Sequence, residues 1–370
     1  MNKVIIQRII LDLLYFSGAS RLLDDKSRGV GSIFMLHHIR PGGGLQKGFA
    51  PNSALEVTPE FLDKTISFVK KRGYEIISID EASRRIKTGD HGKEPFAVFT
   101  IDDGYRDNFE HAWPVFKKHD CPFTIFASTA IIDGTCDMWW KGLEAVIAQK
   151  PNVSAQINGE NIDLETANDA QKKAAFARLY WPVRSLEEHS QRQWVSDFCE
   201  ENGIDLKQIC RDEAMSWDEL REINADPLCT IGAHTINHFA IKKLDAEEAR
   251  FEATESRRLI AEQLGTEPTS FAYPYGDVTS SGKRDYEIIA DAGFDIAVTT
   301  RKGTISETHA TSLTALPRVS LNGGFQSLRY VDVLMSGTAF SLYKLYRRLS
   351  CALRSSKPTS MGFKSGNMQS

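Results

Sequence analysis

FAVFTIDDGY, residues 96–105, decides how this chain is read. Its first six residues form an apolar, β-rich run that suits a buried strand. The run passes without a spacer into Asp102, Asp103 and Gly104. A helix is expected over 107–119, and a second strand, PFTIFAS, over 122–128. Strand, polar turn, helix and strand in that order form the βα unit of a parallel sheet or barrel.

The same alternation extends in both directions. Upstream, GSIFMLHHI (31–39) reads as a short buried strand. Residues 59–72 read as a helix, with Thr58 as its N-cap, Pro59 in its first turn and Gly73 at its end. YEIISI (74–79) reads as a strand, and Asp80 as the cap of the next helix. Downstream follow strand LCTIGA (228–233), helix 245–264, strand TSFAY (269–273), helix 281–292, and strands DIAVTT (295–300) and LPRVSL (316–321). Residues 135–215 break the rhythm: they are charged, poor in strand signals and carry candidate helices near 138–150, 168–181 and 186–202. The expected fold is therefore α/β, a distorted or incomplete (β/α) barrel of seven to eight strands with a helical insertion. The barrel is assigned to 30–325 and the insertion to about 135–215. Residues 1–29 read as an amphipathic helical segment, 326–354 as a C-terminal helical segment and 355–370 as a disordered Ser-, Gly- and Lys-rich tail.

Composition narrows the function classes. With 370 residues, 41% of them hydrophobic, the chain can bury a large core without disulfide staples. A net charge of −4 gives no basis for nucleic-acid binding. None of the six cysteines forms a C-x-x-C pair, and scattered single thiols suit a reducing compartment. Residues 4–16, VIIQRIILDLLYF, are interrupted by Arg8 and Asp12, which argues against a secretory signal, and no run of 18 apolar residues predicts a membrane span. A cytoplasmic location is expected. The segment AFSLYKLYRRLSCALR (339–354) reads either as a last helix packed on the barrel or as a surface helix touching anionic lipid at the inner membrane face.

Three segments carry chemistry, each after an expected strand, where barrel enzymes build their sites. In the first, adjacent Asp102 and Asp103 repel, and a cation bound to one would free the other as a base; the plain alternative is a surface turn. In the second, His234 and His238 stand at i, i+4, a spacing that on a helical turn places two imidazoles for one divalent metal; among nine histidines such a pair also arises by chance. The third, Phe271-Ala-Tyr-Pro-Tyr-Gly276, is by itself a strand ending in a proline turn.

Taken together and in this order, the three closely resemble the polysaccharide deacetylase family, also called the NodB-homology or chitooligosaccharide deacetylase family. The resemblance spans roughly residues 30–325. It implies a metal-dependent hydrolase that removes N-acetyl groups from an N-acetylglucosamine-type oligo- or polysaccharide, or from its lipid-linked precursor, and releases acetate. It implies Asp103, His234 and His238 as ligands of one divalent metal, with zinc expected and other divalent ions compatible. Asp102 corresponds to the general base, a backbone N–H near Tyr105 to the oxyanion donor, and Pro274 and Tyr275 to the lining of the substrate groove.

Two departures from the usual pattern matter. The late Leu-x-His motif that carries the acidic histidine in many members is absent. His37-His38, ending the first strand, instead resembles the branch acting on poly-N-acetylglucosamine, in which the acidic histidine comes first. The acid role therefore goes to His37, with His38 second. The Arg that many members place three residues before the proline is Phe271 here, so Arg318 is the candidate to orient Asp102, counted with the substrate-side residues. Trp139 and Trp140 are candidates to stack on sugar faces, or to pack the core of the insertion. Alternative readings are hydrolysis of another linear or cyclic amide, and a non-catalytic sugar-binding relative. The intact set Asp102, Asp103, His234 and His238 argues against the latter.

Overall fold

The structure is a computed structural model that describes residues 3–355. The expected tail lies outside the described residues, apart from Ser355.

Eight parallel strands make the main sheet: β1 (Gly31–Leu36), β2 (Glu75–Ile76), β3 (Phe96–Asp103), β4 (Phe123–Ala127), β5 (Cys229–Ala233), β6 (Ser270–Ala272), β7 (Ile296–Lys302) and β8 (Leu316–Ser320). Strands β3 to β8 pair in sequence, and β1 pairs with both β8 and β3, so seven strands close into a barrel. The eighth, β2, pairs only with the start of β3, Glu75 opposite Phe96 and Ile76 opposite Ala97.

All eight residues of β3 are buried, as expected of a barrel strand covered on both faces. Ala97, Phe99 and Ile101 pack in the large cluster shared with the surrounding helices, whereas Phe96 and Val98 pack with Ile33, Phe126, Ala272, Val298 and Leu316 in the barrel interior. The two-residue period carries Thr100 and Asp102 along the interior face. It therefore aims the first carboxylate of the pair into the barrel mouth.

Several boundaries differ from the sequence reading, each for a local reason. The first strand stops at Leu36, and His38–Ile39 pairs instead with Glu56–Val57 in a separate two-stranded ladder. Strand β2 is short because Ser78, not Asp80, caps the next helix, its side chain accepting from the Glu81 N–H. The insertion holds helices Trp139–Gln149, Asp169–Ser185, Glu188–Glu201 and Leu206–Glu213 around its own apolar core. It is not purely helical: Asn152–Ile157 and Glu160–Glu165 form an antiparallel hairpin. Asn158-Gly159, both with positive φ, makes its two-residue turn, an Asn-Gly signal that the composition of the segment obscured.

At the chain ends, helix Lys3–Phe16 lies against helix Leu328–Met335, and a last helix runs from Thr338 to Ser355. Among the described residues, no helix is long and apolar enough to cross a membrane. In the last helix Thr338 is buried, Ala339 and Phe340 are half-buried, and Ser341 to Arg347 are exposed.

Candidate active site

Asp102 and Asp103 end β3, and the chain turns sharply there, with Asp103 at φ 80° and Gly104 at φ 89°. A side chain at Gly104 would collide with Ile132, so this left-handed turn favours glycine. The turn sends the Asp103 carboxylate away from Asp102 and toward the loop after β5.

That loop carries His234-Thr-Ile-Asn-His238 and is not a helical turn, contrary to the spacing argument. Thr235 (φ 62°) and His238 (φ 55°) are left-handed, and they fold the loop back so that both imidazoles face Asp103. Asp103 Oδ1 lies 3.3 Å from His234 Nε2 and 3.2 Å from His238 Nε2. The three buried side chains offer ligand atoms all within 4.8 Å of one another. Ligand arms of about 2.0–2.1 Å around a tetrahedral ion give edges of about 3.3 Å, so the donor set fits a zinc-sized divalent cation. His234 Nδ1 hydrogen-bonds the Ala272 carbonyl at 2.7 Å, which leaves the Nε2 lone pair for a metal.

Glu252, on helix Ala246–Leu264, holds this loop from behind. Its Oε2 accepts the N–H groups of Ile236 and Asn237 at 2.8 and 3.0 Å, and its Oε1 accepts Asn237 Nδ2 at 2.6 Å. Arg192 Nη2 donates to the carbonyls of Asn237 and His238. Neither residue has a motif of its own, because a loop clamp is recognisable only once the helix is docked.

Arg318 is fully buried and forks onto Asp102, with Nη1–Oδ1 2.7 Å and Nη2–Oδ2 2.6 Å. Its Nη1 also reaches Thr100 Oγ1, and its Nε donates to the Thr299 carbonyl. Arg318 thus fixes Asp102 from behind and is absent from the cleft lining, so its grouping with substrate-side residues is corrected. Burial pushes the Asp102 carboxyl up, but the Arg318 charge and hydrogen bonds outweigh it and hold Asp102 below the usual carboxylate range. Burial acts likewise on Asp103, and its bonds to His234 and His238 hold it well below that range.

The two N-terminal histidines part company. His37 lines the cleft, with Nε2 3.9 Å from Asp102 Oδ2. Burial lowers its pKa, against the opposing pull of Asp103 and Asp102. His38 points into a buried network instead: its Nδ1 is 2.7 Å from Asp107 Oδ2, and its ring stacks on Tyr105 at 3.7 Å. His38 is therefore removed as a candidate acid.

The cleft encloses about 280 Å³ and is lined by His37, Asp102, Asp103, His234 and His238 together with Tyr105, Trp139, Trp140, Tyr180, Trp181, Arg184 and Tyr275. Tyr275, at φ 61°, packs its ring on His238 at 4.8 Å and lies under the Arg184 guanidinium at 3.8 Å. Pro274 is buried and absent from the cleft lining; it sets the turn that presents Tyr275, and its groove role is corrected accordingly. Of the two readings of Trp139, core packing fits: although it borders the cleft, it is fully buried in the insertion core and donates its Nε1–H to the Tyr275 hydroxyl at 2.8 Å. Trp140 sits against His238, its exposure only 8%. The open aromatic is Trp181, 64% exposed at the cleft, which the sequence reading missed. Its helix reads as a charged insertion helix, and only the pair Tyr180-Trp181 marks it.

Residues 89–296 match the polysaccharide deacetylase family. That span contains Asp102, Asp103, His234, His238 and Tyr275 but stops short of His37 and Arg318, the two residues that depart from the common pattern. YxkH of Bacillus subtilis (strain 168), assigned as a polysaccharide deacetylase, is 20% identical over 311 residues, covering 84% of this chain and 75% of its own. The deacetylase PplD of Streptococcus pyogenes, solved in complex with acetate, superposes with a TM-score of 0.55 at 17% identity, covering 83% of this chain and 97% of its own. A de-N-acetylase from Aggregatibacter actinomycetemcomitans gives 0.51 at 13% identity, covering 82% and 98%. At these identities the two structures establish a shared fold.

Proposed function

Because this chain belongs to the polysaccharide deacetylase family, we propose that it is a metal-dependent hydrolase that removes N-acetyl groups, releasing acetate. Its proposed substrate is an N-acetylglucosamine-type oligo- or polysaccharide or the lipid-linked precursor of one. The observation that carries this reading is the convergence of Asp103, His234 and His238 beside a separately oriented carboxylate, Asp102, within one cleft.

Each residue then has a physical task. Asp103, His234 and His238 would hold a divalent ion, proposed to be zinc, which when bound polarises an amide carbonyl and acidifies water. Asp102, kept ionised and fixed by Arg318, takes the proton of the attacking water. A backbone N–H beside Tyr105 steadies the oxyanion of the tetrahedral intermediate. His37 faces Asp102 inside the cleft and delivers a proton to the departing amine. Its burial-lowered pKa makes the imidazolium a stronger acid, which suits that step. Trp181 and Trp140 supply apolar faces for sugar rings, and Tyr275 with Arg184 closes the far wall. The buried thiols Cys121, Cys136, Cys199 and Cys210 suit a reducing compartment, and we place the reaction in the cytoplasm.

The test is acetate release by metal-loaded protein across N-acetylated oligosaccharides and lipid-linked N-acetyl sugars. Turnover of at least one class supports the proposal. No acetate from any of them, with cleavage of a non-sugar amide instead, overturns it.

A further inference from the structure

Helix Lys3–Phe16 is amphipathic in the wrong sense for a surface helix. Its two interior charges point at the protein: Arg8 Nε donates to the Gly324 carbonyl at 2.7 Å, and Asp12 accepts from Arg329 Nε at 2.6 Å and from the Tyr330 hydroxyl at 3.1 Å. Leu11 packs with Tyr330 and Val333 on the same side. The opposite face presents Ile5, Ile6, Ile9, Ile10, Leu13 and Phe16 to solvent, Phe16 at 76% exposure. A helix that only covers a core shows the reverse pattern, apolar side in and charged side out. An apolar stripe of this kind marks a contact surface.

The last helix adds to this surface. It starts at the same place, Ala339 packing on the cluster that Leu11, Leu14 and Tyr15 share with Tyr330, and Ser27 Oγ meets Thr338 Oγ1 at 3.0 Å. Its exposed stretch carries Leu342, Tyr343, Leu345 and Tyr346 beside Lys344 and Arg347. From Val333 to Ser370 the sequence has six lysines and arginines and no aspartate or glutamate, in a chain whose net charge is −4. Lys344 and Arg347 are the described cations of this stretch, on a helix whose start at Ala339 packs beside the apolar stripe.

We propose that helix Lys3–Phe16 lies in the interfacial layer of an anionic bilayer, with its isoleucine, leucine and phenylalanine face inserted and the tyrosines and cations of the last helix at the headgroups. Apolar face, aromatic flank and basic rim together are the signature of an interfacial helix. A second copy of this chain fits less well, because a two-fold contact sets a surface against itself and would bring the two basic helices together. The stripe also begins at the catalytic end of the barrel. Arg8 holds Gly324, just past β8, and Gln326 bonds Gly43 and Thr58 on the segment whose Asn52 and Leu55 line the cleft. A membrane on this surface would bring the cleft near lipid headgroups.

The test is co-sedimentation of the full chain with vesicles of phosphatidylcholine alone or with one third phosphatidylglycerol, at low and high salt. Binding is expected to be about tenfold or more tighter to the anionic vesicles, as two or more cations near a charged surface would give, and weaker in high salt. The triple variant Ile9→Glu, Leu13→Glu, Phe16→Glu, altered only on the solvent face, should lose binding while keeping its thermal melt and its turnover of a soluble acetylated oligosaccharide. Equal binding by the triple variant, or no binding of the parent chain to anionic vesicles, overturns the proposal. So does a dimer in light scattering that the triple variant dissociates, which would make the stripe a contact between copies. The vesicle result is read without turnover, so it stands or falls separately from the deacetylase reading.

Discussion

Arg318 grips both carboxylate oxygens of Asp102 from strand β8, at 2.7 and 2.6 Å, with neither side chain open to solvent. In the commoner family layout an arginine near the third motif is expected to serve the base, and here Phe271 occupies that position as part of the core. The cation has moved two strands along the barrel and still reaches the same carboxylate. Removing one partner of a buried pair leaves an uncompensated charge and costs about 3–5 kcal/mol. Arg318→Met should lower stability by about that much in a denaturant titration.

The same substitution has a pH signature. Asp102 must be ionised to act as a base, and Arg318 is what holds its carboxyl below the usual range against burial. Without Arg318 the burial effect dominates and the carboxyl rises. The acid limb of turnover should therefore move to higher pH in Arg318→Met, and less in Arg318→Lys, which keeps a charge but loses the fork. An acid limb unmoved in both variants would detach Arg318 from the base.

His234→Ala should bind no divalent metal by elemental analysis of dialysed protein, whereas Asp102→Asn should retain it and release no acetate. Stripping metal from the parent chain should lower its melting point. A ligand held at 100 times its dissociation constant adds about 2.7 kcal/mol to folding stability.

Glu252 tests the loop clamp. Glu252→Ala frees the N–H groups of Ile236 and Asn237 and should weaken metal affinity by about 10–100-fold, the usual scale for groups that orient ligands. Glu252→Gln keeps acceptor oxygen and should recover part of the loss. Metal titration followed by calorimetry separates these outcomes.

His37 and His38 should diverge. His37→Ala should keep metal and lower turnover by about 10²–10⁴-fold, the span of general acid catalysis. His38→Ala strips a buried partner from Asp107 and should cost about 1–3 kcal/mol of stability. Equal kinetic losses in two equally stable variants would contradict the assignment.

Much of this was legible in the chain itself. The strand-to-carboxylate passage at 96–103 and the order of the three motifs pointed to the barrel, because buried parallel strands read as continuous apolar runs, and to Asp103, His234 and His238, which the fold brings together. What the sequence hid is tertiary. The i, i+4 spacing of His234 and His238 suggests a helix, yet left-handed Thr235 and His238 produce the convergence instead. Trp139 and Trp140 are neighbours in sequence and differ in role, one bonded to Tyr275 and the other beside His238, as docking of the insertion dictates. Trp181 faces the cleft from a helix with no clear apolar period, so no pattern singled it out. The sequence offers Arg318 only as a candidate partner for Asp102, because position 271 is Phe; the fork itself forms where β8 closes against β1.

The central claim is that Asp103, His234 and His238 hold the ion on which acetate release depends. Metal-stripped protein should be titrated with zinc while acetate release from an N-acetylglucosamine oligomer is followed. Turnover should start near zero and rise in proportion to added metal, levelling off at about one equivalent per chain, as expected for a single three-ligand site. Full turnover in the stripped protein, unchanged by added metal, would contradict the account.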